Sequence, residues 1–230
     1  MSERRAIVFD LDDTLYPQER FMLSGFLTVS RLVETRFGVP RATVMRILKS
    51  ARRSHPGREF QALCRRCALS ETIVPELITA VRTHRPWIRL PALSAIVLRA
   101  LRPLWRIGVL TNGMPSVQRR KVDALELMRL VDVVLYAEEH VPGGKPSPAT
   151  FHAVRERLEV SAQRTVFVGD DPVADIFGAN RAGFRTIYVS RSRHAWSSAL
   201  PAPDARLASI VGVPRAAERI LAGRGLHHVA

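Results

Sequence analysis

The chain has 230 residues, 47% of them apolar, so it suits one domain with a sizeable insertion or two small domains, and disorder is excluded as the default. Its 35 Lys and Arg outnumber 21 Asp and Glu, for a formal net charge of +14, which would suit a polyanion partner. Yet Lys49, Lys121 and Lys145 are the only lysines, the arginines are scattered, and the few aromatic residues do not alternate with basic ones, so nucleic acid is disfavoured. No signal peptide or membrane-length apolar run is recognised, and a soluble, cytoplasmic protein with no membrane partner is expected.

Ala6 to Phe9 is an apolar run with β-branched residues that ends in Asp10, Asp12 and Asp13, which predicts a buried strand running into charge. Ligands of open α/β sheets collect beyond the carboxyl ends of the strands, so Asp10 and Asp12 are expected to project into a site. Two carboxylates about 4 Å apart repel by roughly 4 kcal/mol at an effective dielectric of about 20, and a divalent metal is the natural compensation. After Tyr16 and Pro17 the apolar spacing turns helical, predicting helices over 21–37, 41–50, 59–68 and 75–83, with breaks at Gly38, Pro40, His55, Pro56 and Gly57. Arg85, Pro86, Trp87 and Pro91 mark the end of this segment. The expected organisation is a small all-helical domain over 16–90, inserted into a core made of 1–15 and 91–230. Cys64 and Cys67 have CxxC spacing but no second Cys or His pair at matching spacing, which reads as two reduced thiols in a helical interface.

From residue 92 onward helices and strands alternate: helix 94–101, strand 107–110, helix 117–125, strand 131–136, helix 148–158, strand 165–168, helix 172–182 and strand 186–189. The pattern predicts an α/β fold, a Rossmann-like parallel sheet with helices on both faces. Residues 191–206, with Pro201 and Pro203, read as an irregular loop, and fraying is expected from about Arg224.

Three later strand ends carry polar groups that could complete the first. Thr111, Asn112 and Gly113 follow the second core strand and bring a hydroxyl, an amide and a turn together. Gly143, Gly144 and Lys145 follow the third, ahead of Ser147 as a candidate N-cap with Pro148 at the first helical position, a natural setting for an anion. Gly169, Asp170 and Asp171 follow the fourth, with Asp175 beyond them; Asp171 before Pro172 fits a structural N-cap. Asp13 reads as a solvated turn residue, and Asn112 suits either substrate or backbone.

These segments resemble the four motifs of the haloacid dehalogenase-like hydrolase superfamily, in order: Asp10, Asp12 and Thr14 as DxDxT, then Thr111, then Lys145, then Gly169, Asp170 and Asp175 as GDxxxxD. The inserted helical segment resembles the family's cap in position, length and helical character. The resemblance implies Asp10 as a nucleophile that forms an aspartyl phosphate, and Asp12 as the acid that protonates the leaving oxygen and later activates water. It further implies Mg2+ held by the carboxylates of Asp10 and Asp170 and the backbone carbonyl of Asp12, with Thr111, Asn112 and Lys145 on the phosphoryl oxygens. Thr14 and Asp175 would support these groups from behind.

Within that resemblance Asp12 favours a phosphate monoester over a carbon–halogen bond, because family dehalogenases lack an aspartate there. Phosphomutases keep both aspartates and remain the enzymatic alternative; a polyanion-binding protein without activity is the alternative from another class. The DDTLY form of the first motif, and the LTNG segment followed by Gln118 and Lys121, resemble nucleotidase and sugar-phosphate phosphatase members. The expected partner is a small phosphorylated metabolite, chosen by the helical segment, with Tyr16, Arg20, Phe21, Arg52, Arg53 and Arg58 as possible contacts.

Overall fold

The computed structural model describes residues 4–190 and 199–223, which fall into two compact units: one made of the segments up to Pro17 and from Arg89, the other of Gln18–Ile88. The helical unit is two residues shorter at each end than the expected 16–90. Tyr16 stays with the first unit because it forms a bridge to Asp12.

The first unit is built on a six-stranded sheet in the order β3-β2-β1-β4-β5-β6, every neighbouring pair parallel. The strands are β1 (Ala6–Phe9), β2 (Arg106–Thr111), β3 (Val133–Tyr136), β4 (Thr165–Gly169), β5 (Arg185–Val189) and β6 (Ala205–Leu207). Strand β1 sits between β2 and β4, and all four of its residues are buried, which is why it reads as a continuous apolar run rather than an alternating one. Side chains of one parity, Ala6, Val8, Leu110 and Phe167, share a core with Phe151, Val154 and Leu158 of α8 (Pro148–Leu158) and Ala179 of α9 (Gly178–Arg181). Those of the other parity, Ile7, Phe9, Ile107, Val109, Val166 and Val168, are equally buried, so both faces of the sheet are covered. Helix α10 (Val213–Leu221) packs on β5 and on α5 (Ala92–Leu101).

Register places the chemistry. Phe9 pairs with Val109 on one side and Val168 on the other, so Asp10, Thr111 and Asp170 leave their strands within a residue of one another, at one end of the sheet.

The second unit is helical: α1 (Gln18–Phe37), α2 (Arg41–Ser54), α3 (Glu59–Arg66) and α4 (Val74–Thr83). Phe21, Phe26, Val29 and Val33 form the buried stripe of α1, and Phe26 meets Phe60 of α3 edge to face. Beyond α4, Ser24 Oγ accepts from Trp87 N at 2.7 Å and lies 3.0 Å from His84 Nε2, tying the outgoing chain to α1. Cys64 and Cys67 are free thiols, both pushed above the usual thiol range by burial. No described helix is long and apolar enough to cross a membrane.

The structure corrects several expectations. The stretch from Arg191 to Arg206 is not wholly irregular: residues 191–198 lie outside the described residues, but Ala205 opens β6, whose residues pair with Ile187, Tyr188 and Val189. The expectation of fraying from Arg224 also lies outside the described residues. The helix expected over 172–182 is present, but its first part, Pro172–Phe177, is a π-helix that runs into α9. Ser147 occupies an N-cap position without capping through its side chain; its carbonyl instead accepts from Thr150 Oγ1 at 2.8 Å.

Candidate active site

Asp10, at the end of β1, is 7% exposed and lies beside Lys145, whose Nζ donates to Asp10 Oδ1 at 2.5 Å and to Asp175 Oδ1 at 2.6 Å. Asp175 in turn accepts from the N–H groups of Asp170 (3.1 Å) and Asp171 (3.0 Å) with its other oxygen. Every oxygen of Asp175 is therefore committed to holding Lys145 and the loop after β4. That approach requires glycine at 169, where a Cβ would lie 2.3 Å from Asp175 Oδ2.

Lys145 is fixed from its backbone as well. Asn112 Nδ2 donates to the Lys145 carbonyl at 2.9 Å, and Asn112 Oδ1 accepts from Lys145 N at 2.8 Å. The two-point clamp brings Asn112 Oδ1 so close to the preceding residue that a Cβ on Gly144 would sit 2.5 Å from it; Gly144 also has φ of +61°. Of the two roles open to Asn112, the structure places it on backbone.

Asp12 is only half buried and meets a separate group of donors. Tyr16 Oη donates to Oδ1 at 2.6 Å, Gln118 Nε2 to Oδ2 at 2.9 Å, and Lys121 Nζ to both oxygens at 2.8 and 2.7 Å. Gln118 and Lys121 lie three residues apart on one face of α6 (Pro115–Ala124), the helix that follows the Thr111–Gly113 turn. Burial and the Asp12 carboxylate push the Tyr16 phenol far above its ordinary value, so it is a neutral donor throughout the working range. Gln118 Nε2 also lies 2.7 Å from Thr111 Oγ1 and 2.5 Å from the Asn112 carbonyl, which fixes the amide with Nε2 toward the acceptors. Among the described residues its Oε1 is consequently buried without a partner, a cost of about 1–3 kcal/mol.

Asp170 accepts from Thr14 Oγ1 at 3.1 Å, which accounts for the buried Thr14. Asp13 is exposed, with φ of +59°. Asp171 caps the π-helix, accepting from Val173 N (2.7 Å) and Ala174 N (2.8 Å).

Electrostatics favour a cation here. Carboxylate oxygens of Asp10, Asp170 and Asp175 lie within 4.8 Å of one another, three acids against the single ammonium of Lys145. Burial, then the neighbouring Asp175, push Asp170 up to about 7. Burial likewise raises Asp10 well above the carboxylate range, with the Asp175 and Asp12 charges adding to it and Lys145 opposing. Burial works against the charge of Lys145, but Asp10 and Asp175 more than offset it and hold the ammonium above its usual range. Carboxylate oxygens are hard donors of the kind Mg2+ takes, and since Asp175 is committed elsewhere, Asp10 and Asp170 are the carboxylates that fit it.

Residues 4–183 match the family model for haloacid dehalogenase-like hydrolases. The chain belongs to that family. It is 27% identical over 206 residues to a glyceraldehyde 3-phosphate phosphatase of Methanopyrus kandleri, a match covering 83% of this chain and 85% of the relative. It is 34% identical to a phosphoserine phosphatase of Thermus thermophilus over 110 residues, 48% of this chain and 44% of that one. Among solved structures it is similar to a 2-haloacid dehalogenase of Pseudomonas syringae, with TM-score 0.66, 25% identity, and coverage of 94% and 99% of the two chains. A HAD phosphatase of Thermococcus onnurineus shares the fold at TM-score 0.61 and 19% identity, with 96% and 100% covered.

Set against the motifs of the haloacid dehalogenase-like hydrolases, the structure brings Asp10, Lys145, Asp170, Asp175 and Thr14 into one cluster, with Thr111 beside Asp12 through Gln118. Sequence reasoning did not foresee the donors on Asp12. Of the possible substrate contacts, Tyr16 donates to Asp12, Phe21 is buried with its ring tilted 51° to that of His84 at 4.9 Å, and Arg52 pairs with buried Glu59 at 2.9 Å. Arg20, Arg53 and Arg58 are exposed. A signal for Lys121 was present: in a chain that otherwise uses arginine, two of three lysines are the buried Lys121 and Lys145.

Proposed function

We propose that this hydrolase is a Mg2+-dependent phosphatase acting on a small phosphate monoester, of sugar-phosphate or nucleotide type, through an aspartyl phosphate on Asp10. The observation that carries the reading is the division of the two aspartates: Asp10 is buried with one oxygen on Lys145, and Asp12, two residues on, is held apart by its own donors. Among the described residues Asp10 Oδ2 accepts no hydrogen bond, which leaves an oxygen available for attack.

Asp10 Oδ2 forms the new bond to phosphorus while the bond to the leaving oxygen breaks, and the Asp12 carboxyl proton passes to that oxygen. Asp12, now a carboxylate, takes a proton from water as the water oxygen attacks phosphorus. The phosphorus–Asp10 bond breaks, the Asp10 carboxylate is restored and phosphate leaves. The sum is ester plus water to alcohol plus phosphate. Lys145, in the loop ahead of α8, and Thr111, at the end of β2, are suited to the transferring oxygens. Asp10 and Asp170, with the Asp12 carbonyl that the family resemblance implies, would hold Mg2+, which supplies neutralisation of phosphoryl charge. Asp12 also argues against carbon–halogen cleavage, in which no leaving alcohol needs a proton.

The matches to glyceraldehyde 3-phosphate phosphatases of several archaea, 25–27% identical over at least 80% of this chain, support a small phosphorylated substrate. The helical unit, inserted in the chain directly after the first strand and its loop, is assigned the cap role of choosing among esters. The test is phosphate release from a panel of metabolite esters that includes glyceraldehyde 3-phosphate, with and without Mg2+. Release is expected to require Mg2+ and to fall roughly 10⁴-fold or more in Asp10→Asn; release surviving either change would refute the mechanism.

A further inference from the structure

We propose that Lys121 is a positioning residue, which together with Gln118 and Tyr16 sets the orientation of Asp12 for proton transfer to the leaving group. The inference rests on the phosphatase reading and adds a set of residues that the four motifs do not contain.

Three side chains direct four hydrogen bonds onto the two oxygens of Asp12, fixing its carboxylate plane. Lys121 is 4% exposed, and an ammonium is rarely buried to that extent without a task. Gln118 is 2% exposed and keeps Nε2 on Asp12, Thr111 and the Asn112 carbonyl, while its own Oε1 meets no partner among the described residues. Side-chain filling alone would not select that arrangement, since an apolar residue of similar shape would bring no orphan acceptor of its own. The same amide joins Asp12 to Thr111, so the acid/base group and a strand end assigned to phosphoryl oxygens are held in one geometry. Lys145 performs the equivalent service for Asp10 on the other side. Each aspartate of the first motif thus has a lysine of its own, and the one serving Asp12 comes from α6.

General acid catalysis matters most when the leaving group is a poor one, and that supplies the test. kcat/KM, which reports the phosphoryl-transfer half of the cycle, is measured for the best alkyl ester in a panel including glyceraldehyde 3-phosphate, and for p-nitrophenyl phosphate, whose leaving group departs without a proton. In Lys121→Met the alkyl-to-aryl ratio of kcat/KM is expected to fall at least about tenfold, part of the roughly 10²–10⁴ that a placed acid supplies. Lys121→Arg, which keeps charge and donors, should recover part of it. Tyr16→Phe removes one donor without changing shape and should lower the ratio two- to fivefold, on the order of one weakened contact; it decides the question if Lys121→Met does not fold. An unchanged ratio in folded Lys121→Met and Tyr16→Phe, or an equal loss on both esters, overturns the assignment and leaves the phosphatase reading standing. Wild type that releases phosphate from no ester overturns both.

Discussion

Asp10 and Asp12 leave the same strand two residues apart and each meets a lysine, yet their surroundings differ in kind. Beside Asp10, Lys145 is 4% exposed and Asp175 1%, and the ammonium lies between two carboxylates. Around Asp12, whose side chain is 19% exposed, neutral and charged donors meet the two oxygens together. The first arrangement holds charge in a place that disfavours it, which suits a nucleophile and a metal. The second fixes direction, which suits a group that gives and takes protons. The partners distinguish them: Asp10 shares Lys145 with a second carboxylate, whereas Asp12 takes Lys121, Gln118 and Tyr16.

The contrast predicts unequal costs. Lys145→Met strips the ammonium from two buried carboxylates, and the loss of stability should be about 3–5 kcal/mol, read by urea unfolding; saturating Mg2+ should restore part of it. A cost near zero would mean that the buried array is not electrostatically coupled. Gly169→Ala should cost about 1–3 kcal/mol, because its Cβ would overlap Asp175, and activity should fall with it as Lys145 is displaced. Asp171→Ala is the control within the same loop: loss of its cap should cost about 1 kcal/mol with turnover nearly unchanged.

The Asp10 side carries a pH effect. With Asp170 pushed up to about 7 in the metal-free fold, the folded chain holds a proton that the unfolded chain has released between about pH 4 and pH 7. Stability of the metal-free protein should therefore fall as pH rises through that window and level off above it. Asp170→Asn should remove this part of the slope in thermal melts, and Mg2+, which takes the place of the proton, should flatten it in wild type.

Much of the core was legible because it is written in local pattern. The apolar run of β1 stops at Asp10, the turn residues at Gly113 and Gly144 follow their strands, and the glycine at 169 precedes the acidic loop. Short or edge elements carried too little pattern: α7 (Ala137–His140) and β6 depend on tertiary pairing, α10 was not anticipated, and the π-helix that brings Asp175 under the loop looks like ordinary helix in sequence. Two of the three partners of Asp12 were beyond local reading for the same reason, since Gln118 and Lys121 lie 106 and 109 positions away and meet it only once β1 and β2 pair. The scarcity of lysine was the one trace of them in composition.

The central claim is that Asp10 becomes phosphorylated. Rapid acid quench during turnover of a phosphate ester, followed by peptic digestion kept at acid pH, where an acyl phosphate survives, and mass spectrometry, should find a phosphoryl group on the peptide that contains Asp10, with fragmentation placing it on Asp10 and Asp10→Asn abolishing it. Turnover with no protein-bound phosphate, or phosphate on a peptide lacking Asp10, would contradict the account.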